Sequence, residues 1–591
     1  MLLAVVHVRG RDAARAILKR AGDLAGEPSA ETSLKDAVIA GWRSTAELTL
    51  TDDCAVEGFV AGPERPYDGD FDGWLGRTNG DFALIAAQDG ALIAASGPAG
   101  GHRPLFVAVQ DEWSVVSTRL RAVVSLLPTQ PKLDFDYMTA SLLAVEYPIA
   151  STATPYQGVM HLPLGEVWSL RAGREEERRS IRHLPLPDVT QADERGFARM
   201  LRKAIESSVE RSTYRAAKVG VMLSGGVDSS SILVTLEHLR RSGRVDAQVE
   251  AYSWDFETLD PGDDRPFRRA VEQKMGRASH PVAPEHAGRF VRRALVLDAA
   301  PCTDAPCALW LALDAAASAR GDQRIVTGIG GDNVLEGDAQ LLGDLGRRGS
   351  PIRAVRKALA LRGTYGNMSS LRRLHEFVLR PVARALAPEP LKSAFRAVKR
   401  KRRLDWMGPR FRSWIDKRNA SPLAPRLTLE SSPAERYAAL ARMPFLSDQT
   451  IIRSQQEDVM RCRRVDPLFD DEILRVVAAL PPLALMAGDR LRGLMRQSVS
   501  DLLPKEVSLR TNKAYMDPAL ATMVEAAGGF MAFQDLACVT RLADLGLAEP
   551  KLFRAHFDRL ARQPVTTPWW SVWPALAAEE FLRQYDEGWT P

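Results

Sequence analysis

Eleven consecutive residues, Val221-Met222-Leu223-Ser224-Gly225-Gly226-Val227-Asp228-Ser229-Ser230-Ser231, constrain this chain more than any other stretch. The apolar run Val219–Leu223 predicts a buried strand. Ser224, Gly225 and Gly226 then require a tight turn. Glycines let the backbone approach a ligand and point its N–H groups inward. Asp228 follows, and the apolar residues of Ser229–Leu236 predict a helix. A helix N-terminus carries partial positive charge and unpaired N–H donors, so strand, turn and helix together make an anion site. It is not a Walker A loop, because no Gly-x4-Gly-Lys-Ser/Thr occurs and no lysine follows the glycines.

The residues around this turn predict an α/β architecture. Asp193–Tyr214 reads as an amphipathic helix leading into the first strand. Val249–Phe256 reads as a second strand, Arg265–Met275 as a helix and Arg324–Thr327 as a third strand. Alternating strands and helices imply a parallel sheet. Ligands of such sheets bind beyond the carboxyl ends of the strands. Ser224–Asp228, Ser253–Asp255 and Thr327–Asp332 all fall at those ends. The last of these, Thr327-Gly328-Ile329-Gly330-Gly331-Asp332-Asn333, is a second glycine-rich turn carrying an acid.

Residues 1–180 read differently. Phe82–Ala87, Ala91–Ala95, Leu105–Val109, Trp113–Ser117 and Val167–Leu170 are short apolar runs between turn signals. Asp89-Gly90 is a hairpin turn between two of them. Met1–Val8 reads as a first strand and not as a signal peptide. Ser180–Asp193, with Pro185 and Pro187, reads as a linker. A length of 591 residues suits two large domains. The expected division is 1–180, a linker at 181–193, and 194–591.

A net charge of +5 is small for this size and does not argue for nucleic acid. Five scattered cysteines, with no CxxC pair, are expected to be reduced thiols in a cytoplasmic protein. No apolar run is long enough to span a bilayer. Residues 338–445 read as a basic helical insertion centred on Lys399–Arg403, a candidate contact surface for an acidic peptide or partner protein. It contains no recognisable nucleic-acid module. Trp569, Trp570, Trp573, Leu576 and Phe581 recur at a mostly helical spacing and read as packing.

The run at Ser224 resembles the Ser-Gly-Gly-x-Asp-Ser loop of the ATP pyrophosphatase superfamily, which implies AMP and pyrophosphate as products. In the first half, four landmarks follow one another: Gly80-Asp81-Phe82-Ala83-Leu84, Gly97–Phe106, Val116–Leu120 and Gly158–Glu166. Their order resembles the glutaminase half of asparagine-synthetase-type amidotransferases, an αββα sandwich. Together the two resemblances cover nearly the whole chain. The resemblance implies an ATP pyrophosphatase domain whose nucleotide contacts fall at Leu223, Ser224, Gly225, Gly226, Asp228, Ser229, Ser253, Trp254, Gly328 and Gly330. It implies that Asp228 and Asp332 hold Mg²⁺ on the ATP phosphates, as one or two carboxylates suffice to do. Leu503-Pro504 followed by Arg510-Thr511-Asn512-Lys513 resembles the family's Leu-Pro…Arg-x-Lys segment, which gives Lys513 the charge developing at the reacting centre. Glu457–Asp470 resembles the family's Arg-x-Pro-Phe-Leu-Asp segment, with Arg464 one place out of step. Glu457 is the candidate for deprotonating the amine.

The departure from the family lies at Leu2. Those glutaminases use Cys at residue 2 as nucleophile, and leucine has no nucleophilic atom. No Asn-Gly-Glu match occurs between about 45 and 75. The first domain is therefore expected to release no ammonia, so the amine belongs to the substrate and the product is a ring. β-Lactam and carbapenam synthetases and lasso peptide macrolactam synthetases fit that description. Ile329, where the former place Tyr and asparagine synthetases place Glu, resembles the lasso cyclases. That resemblance implies a leader-cleaved precursor peptide as substrate, with a leader peptidase and a leader-binding protein as partners. The alternatives are an asparagine-synthetase-like transferase using ammonia or an external amine, and a non-enzymatic peptide-binding scaffold.

Overall fold

The computed structural model describes the chain except residues 21–27, 34–35, 43–47, 52–53, 62–72, 76–77, 98–102, 144–151, 181–184, 256–262, 362–367, 389–404, 419–427, 442–461, 512–515, 563–568 and 589–591. Lys399–Arg403, Glu457 and Lys513 lie outside the described residues.

The expected strands of the first half are present, within two antiparallel sheets of six. One runs in the order Val159–Leu162, Leu105–Val109, Trp113–Ser117, Leu2–His7, Ala37–Gly41, Ala30–Ser33. The other runs Arg174–Ser180, Glu166–Arg171, Ala91–Ser96, Asn79–Gln88, Cys54–Ala61, Leu48–Leu50. Asp89 and Gly90 both take positive φ, 51° and 75°, and close the hairpin that pairs Gln88 with Ala91. Those dihedral signs belong to the tight primed turn whose twist matches the strands.

The all-apolar beginning of the Leu2–His7 strand is explained by burial on both faces. Leu2, Ala4 and Val6 meet Ala83, Ile85, Leu92 and Leu170 of the other sheet. Leu3 and Val5 point the opposite way, as alternation requires. They join a core with Phe106, Tyr156, Trp573, Leu576 and Phe581. Trp569, Trp573, Leu576 and Phe581 of the C-terminal stripe are thus packing, as their spacing predicts. The last three lie on the helix Trp573–Asp586, which joins the core of the first half. Trp573 Nε1 donates to the Cys302 carbonyl at 3.0 Å, and the Tyr156 ring lies edge-on to Phe581 while its hydroxyl donates to the Ala299 carbonyl at 2.9 Å.

A third sheet has five parallel strands in the order His280–Val282, Gln248–Trp254, Lys218–Met222, Arg324–Val326, Arg463–Val465. The second and third of the strands read from the sequence are here, each shorter by one or two residues at its end. The edge strand Arg463–Val465 was not expected as a strand. It is three residues long, and two are charged, so no apolar run announces it. The preceding helix spans Glu194–Ser212, and Asp193 caps it by accepting from the Gly196 amide at 2.7 Å.

Within the basic insertion, helices Leu341–Arg347 and Pro351–Ala360 and the stretch Ser370–Leu386 enclose a small core of their own. Leu342, Ala354, Ala358, Phe377 and Val378 fill it, together with Met486 and Leu491.

Candidate functional site

The site forms where the central strand Lys218–Met222 ends. Leu223 is held to the neighbouring strand by its amide, which donates to the Tyr252 carbonyl at 2.7 Å. Gly225 then takes φ +77°, and a Cβ there would lie 2.7 Å from the Arg268 nitrogen and 2.9 Å from the Asp264 carbonyl. The position therefore demands glycine twice over, by conformation and by space. Ser224 and Ser229 lock the turn. Their hydroxyls are 2.9 Å apart, the Ser224 amide donates to Ser229 Oγ at 3.2 Å, and the Gly226 amide donates to Ser224 Oγ at 3.2 Å. The helix Val227–Arg241 starts directly behind, with Asp228 in its first turn.

The second glycine turn folds onto this helix start. A Cβ on Gly328 would lie 2.4 Å from the Ser229 nitrogen. One on Gly331 would lie 2.2 Å from the Asp228 carboxyl carbon. Gly330, at φ +101°, rests on the Phe469 ring. The close approach brings Asp332 beside Asp228, and one guanidinium serves both acids. Arg492 Nε lies 3.3 Å from Asp228 Oδ1, and Arg492 Nη2 pairs with Asp332 Oδ1. Arg492 is buried at φ +54°, its amide donating to the Glu336 carbonyl at 2.9 Å.

Two carboxylates that converge on one monocation have the placement a dication needs. Mg²⁺ is held in nucleotide sites by one or two carboxylates, with phosphate oxygens and water completing the shell. Among the described residues no group of three or more His, Cys, Asp or Glu side chains forms a metal cluster. The pair Asp228 and Asp332 thus fits an ion shared with phosphates, the site's backbone N–H groups supplying the anion cradle.

Ser253 and Trp254 end the adjacent strand, where the sequence places them. Arg268 joins them, its Nη1 donating to Ser253 Oγ at 3.1 Å and to the Trp254 carbonyl at 3.0 Å. Ser253 Oγ also meets Ser279 Oγ at 2.9 Å. On the other side stands a wall rich in arginine. Arg496 is buried and donates to the carbonyls of Val507, Ser508 and Arg510 at 3.1, 2.6 and 3.0 Å. Burial, then the neighbouring Arg490 and Arg492 charges, push its pKa down to about 10. Arg510 pairs with Asp264 and lies over the Phe267 ring at 4.2 Å. Burial raises the Asp264 pKa despite Arg510. These contacts fix the backbone up to Arg510.

Arg464 does not enter the site. It is buried in a two-pronged pair with Asp314, both oxygens at 2.7 Å. Sequence reading placed Thr327 at the start of the second glycine turn but gave it no role, and it missed Arg492 and Asp466. Thr327 Oγ1 donates to Asp466 Oδ1 and accepts from the Ile329 amide at 3.1 Å, which pins the second glycine turn. The Arg492-Gly493 pair was the available signal for the first, since a Cβ on Gly493 would lie 1.8 Å from the Ala487 carbonyl.

In the first half, Leu2 is fully buried and its amide donates to Thr118 Oγ1 at 2.9 Å. Thr118 in turn donates to the buried Glu57 carboxylate at 2.7 Å. Arg103 donates to Glu57 at 3.1 Å, and the Met1 amine lies 3.6 Å away. Burial opposes ionisation of Glu57, but the Met1 amine, Arg119 and Arg103 outweigh it and hold the carboxyl well below the usual range.

A glycine turn faced by an acidic glycine loop, at the carboxyl ends of a parallel sheet, is the place where open α/β folds take their ligands. The chain belongs to the asparagine synthase family, whose sequence model, described as Asparagine synthase, matches residues 200–583. That family carries out ATP-dependent amide formation and generally uses Mg²⁺. A curated relative, "Amidase chry2" of Gibberella zeae, is 24% identical over 280 residues, which cover 45% of this chain and 40% of that protein. The chain thus spans less than half the length of that relative. Among solved structures, the glutamine phosphoribosylpyrophosphate amidotransferase from B. subtilis is 10% identical, covering 48% of this chain and 80% of that one, with a TM-score of 0.19. A structure titled as the allosteric regulatory enzyme of purine biosynthesis is 9% identical, covering 48% and 79%, with the same TM-score of 0.19. Scores that low carry no argument about this chain. No helix among the described residues is long and apolar enough to cross a membrane.

Proposed function

We propose that this chain is a lasso peptide cyclase. It activates an Asp or Glu side chain of a leader-cleaved precursor peptide with ATP, and closes a macrolactam with that peptide's N-terminal amine. A carboxylate oxygen bonds to the α-phosphorus and pyrophosphate leaves; the amine nitrogen then bonds to the acyl carbon and AMP leaves with the loss of one proton.

In this reading residues 194–591 form the amide-making domain, residues 1–180 a glutaminase-like αββα domain without activity, and 181–193 the linker. The turn Ser224–Gly226 and the amides at the start of the Val227–Arg241 helix bind the phosphates. Asp228 and Asp332 hold Mg²⁺, which neutralises charge on the leaving pyrophosphate. Leu223, Ser253, Trp254, Gly328 and Gly330 border the nucleotide, Lys513 stabilises developing charge, and Glu457 takes the amine proton. A leader peptidase and a leader-binding protein supply the peptide. The observation that carries the reading is Ile329: it sits in the acidic glycine turn with its amide on Thr327 and offers no acid, base or polar atom from its side chain. The second reading, a transferase that uses ammonia or an external amine, draws on the family itself.

Given cleaved precursor, ATP and Mg²⁺, the expected product is lighter by one water, with an equal amount of AMP. An N-acetylated precursor should be adenylated and not cyclised. Incorporation of added ammonia, or dehydration of the acetylated peptide, would sink the macrolactam reading in favour of the transferase.

A further inference from the structure

The edge strand Arg463–Val465 touches both halves of the chain. Its first residue is paired in the parallel sheet, and its side chain reaches out of that sheet to the first half. Arg463 donates to Asp81 Oδ2 through Nη2 at 2.7 Å and Nε at 3.1 Å, and to the Asp81 carbonyl through Nη2. Both side chains are buried. The space for the guanidinium is made by Gly58, which pairs with Phe82 at φ +121°. A Cβ there would lie 2.2 Å from the Asp81 carbonyl and 3.0 Å from Arg463 Nη2. A forked, doubly bonded guanidinium fixes direction as well as distance.

The same strand leads to the acidic turn. Arg464, on the opposite face, is clamped by Asp314. Val465 accepts from the Thr327 amide at 2.9 Å. Asp466 accepts from the Thr327 hydroxyl, which accepts from the Ile329 amide. Phe469 lies under Gly330. The contacts of Val465, Asp466 and Phe469 on the turn bearing Asp332 thus come directly after the anchor at Arg463. Coupling between distant groups is carried by such contiguous bonded and packed elements.

We propose that Asp81 and Arg463 are positioning residues: the first half of the chain, through this buried pair, sets the register of the Arg463–Phe469 segment and so the position of the Asp332 carboxylate. That gives a half without a nucleophile a task in the amide-forming reaction. The inference rests on the ATP site proposed above only for its consequence; the coupling itself is readable without nucleotide.

Asp81→Asn keeps the shape and removes the charge. Hydrogen exchange in the ligand-free protein should then quicken about tenfold in peptides covering 327–335 as well as 463–469, while the helix Val227–Arg241 keeps its protection. In calorimetry with a non-hydrolysable ATP analogue, the Mg²⁺ concentration for half-maximal binding should rise about tenfold. A simple loss of folded protein would lower the amount bound and leave that midpoint unmoved. Arg463→Lys, which retains the charge and gives up the fork, should show the same pattern more weakly, and serves if Asp81→Asn does not fold. Quickened exchange confined to 463–469, with 327–335 unchanged, would overturn the proposal. If the native protein bound no analogue, the nucleotide reading would fail while the exchange result still decided the coupling.

Discussion

Asp228 is approached by the Arg492 guanidinium and the Gly331 backbone, and Arg492 also pairs with Asp332. Replacing Asp228 with Asn should leave the fold intact and abolish pyrophosphate release, because a charge facing the metal is lost where screening is weak. Release near the native rate would remove Asp228 from the site. Gly331→Ala tests the geometry without touching charge. Its methyl group would sit 2.2 Å from the Asp228 carboxyl carbon. A displacement of that order should cost about ten- to a hundredfold in turnover. Lys513→Ala should keep ATP affinity and lose about a hundred- to a thousandfold in turnover, the usual effect of removing one preorganised donor. Weaker ATP binding at unchanged turnover would make Lys513 a binding residue only. The residues of the first turn were legible because they are consecutive and obey local rules. Arg492 was not, because its place depends on a left-handed backbone conformation and on a partner more than 250 residues earlier. No periodicity encodes that.

Among the elements, the helix Asp471–Ala479 carries a measurable anomaly. Asp470 caps it by accepting from the Glu472 amide at 2.9 Å and also pairs with Arg211 at 2.6 Å. The next residue, Asp471, is buried and accepts from the Tyr437 hydroxyl. Burial dominates and pushes its pKa up to about 6. Between about pH 4 and 6 the folded state therefore holds a proton that the unfolded chain has released. Stability should fall as pH rises through that window and level off above it. The upper bound is about 3 kcal/mol, from roughly two units at 1.36 kcal/mol each. Asp471→Asn should remove this decline, seen as denaturant midpoints at pH 4 and 7 that differ less than in the native protein. An unaltered pH slope would show that Asp471 is ionised in the fold. At this scale the sequence was informative about long apolar strands and capped helices. The strand Arg463–Val465 was illegible because its two arginines are buried by partners elsewhere in the chain, Asp81 and Asp314, and not by an apolar pattern.

For the whole molecule, the halves share one core. The sheet face bearing Leu3, Val5 and Phe106 is covered by the helices Arg11–Lys19 and Leu120–Leu126, and the same cluster runs on through Tyr156 to residues between Ala287 and Leu582. Expressed alone, residues 1–190 should bind a hydrophobic dye and aggregate, since the part of that cluster completed by Ala287–Leu582 would meet water. A soluble, monomeric fragment with native near-ultraviolet dichroism would contradict this. Incubation of the whole protein with glutamine should release no glutamate above background, because buried Leu2 and the ion-paired Glu57 offer no nucleophile. Robust hydrolysis would also undo the ring-closure argument.

The helix Trp573–Asp586 has a consequence for how the protein is born. A ribosome adding about 5–20 residues per second needs roughly 20–80 s to travel from the end of the first half to that helix. Throughout that interval the core on the sheet containing Leu2–His7 has the helices Arg11–Lys19 and Leu120–Leu126 but lacks its last members, Trp573, Leu576 and Phe581. The nascent chain therefore keeps an incomplete apolar core, at the Tyr156 ring that Phe581 later meets, in waiting, as a client of whatever holds unfinished chains in the cell. A pause late in translation should harm its yield more than an equal pause early on.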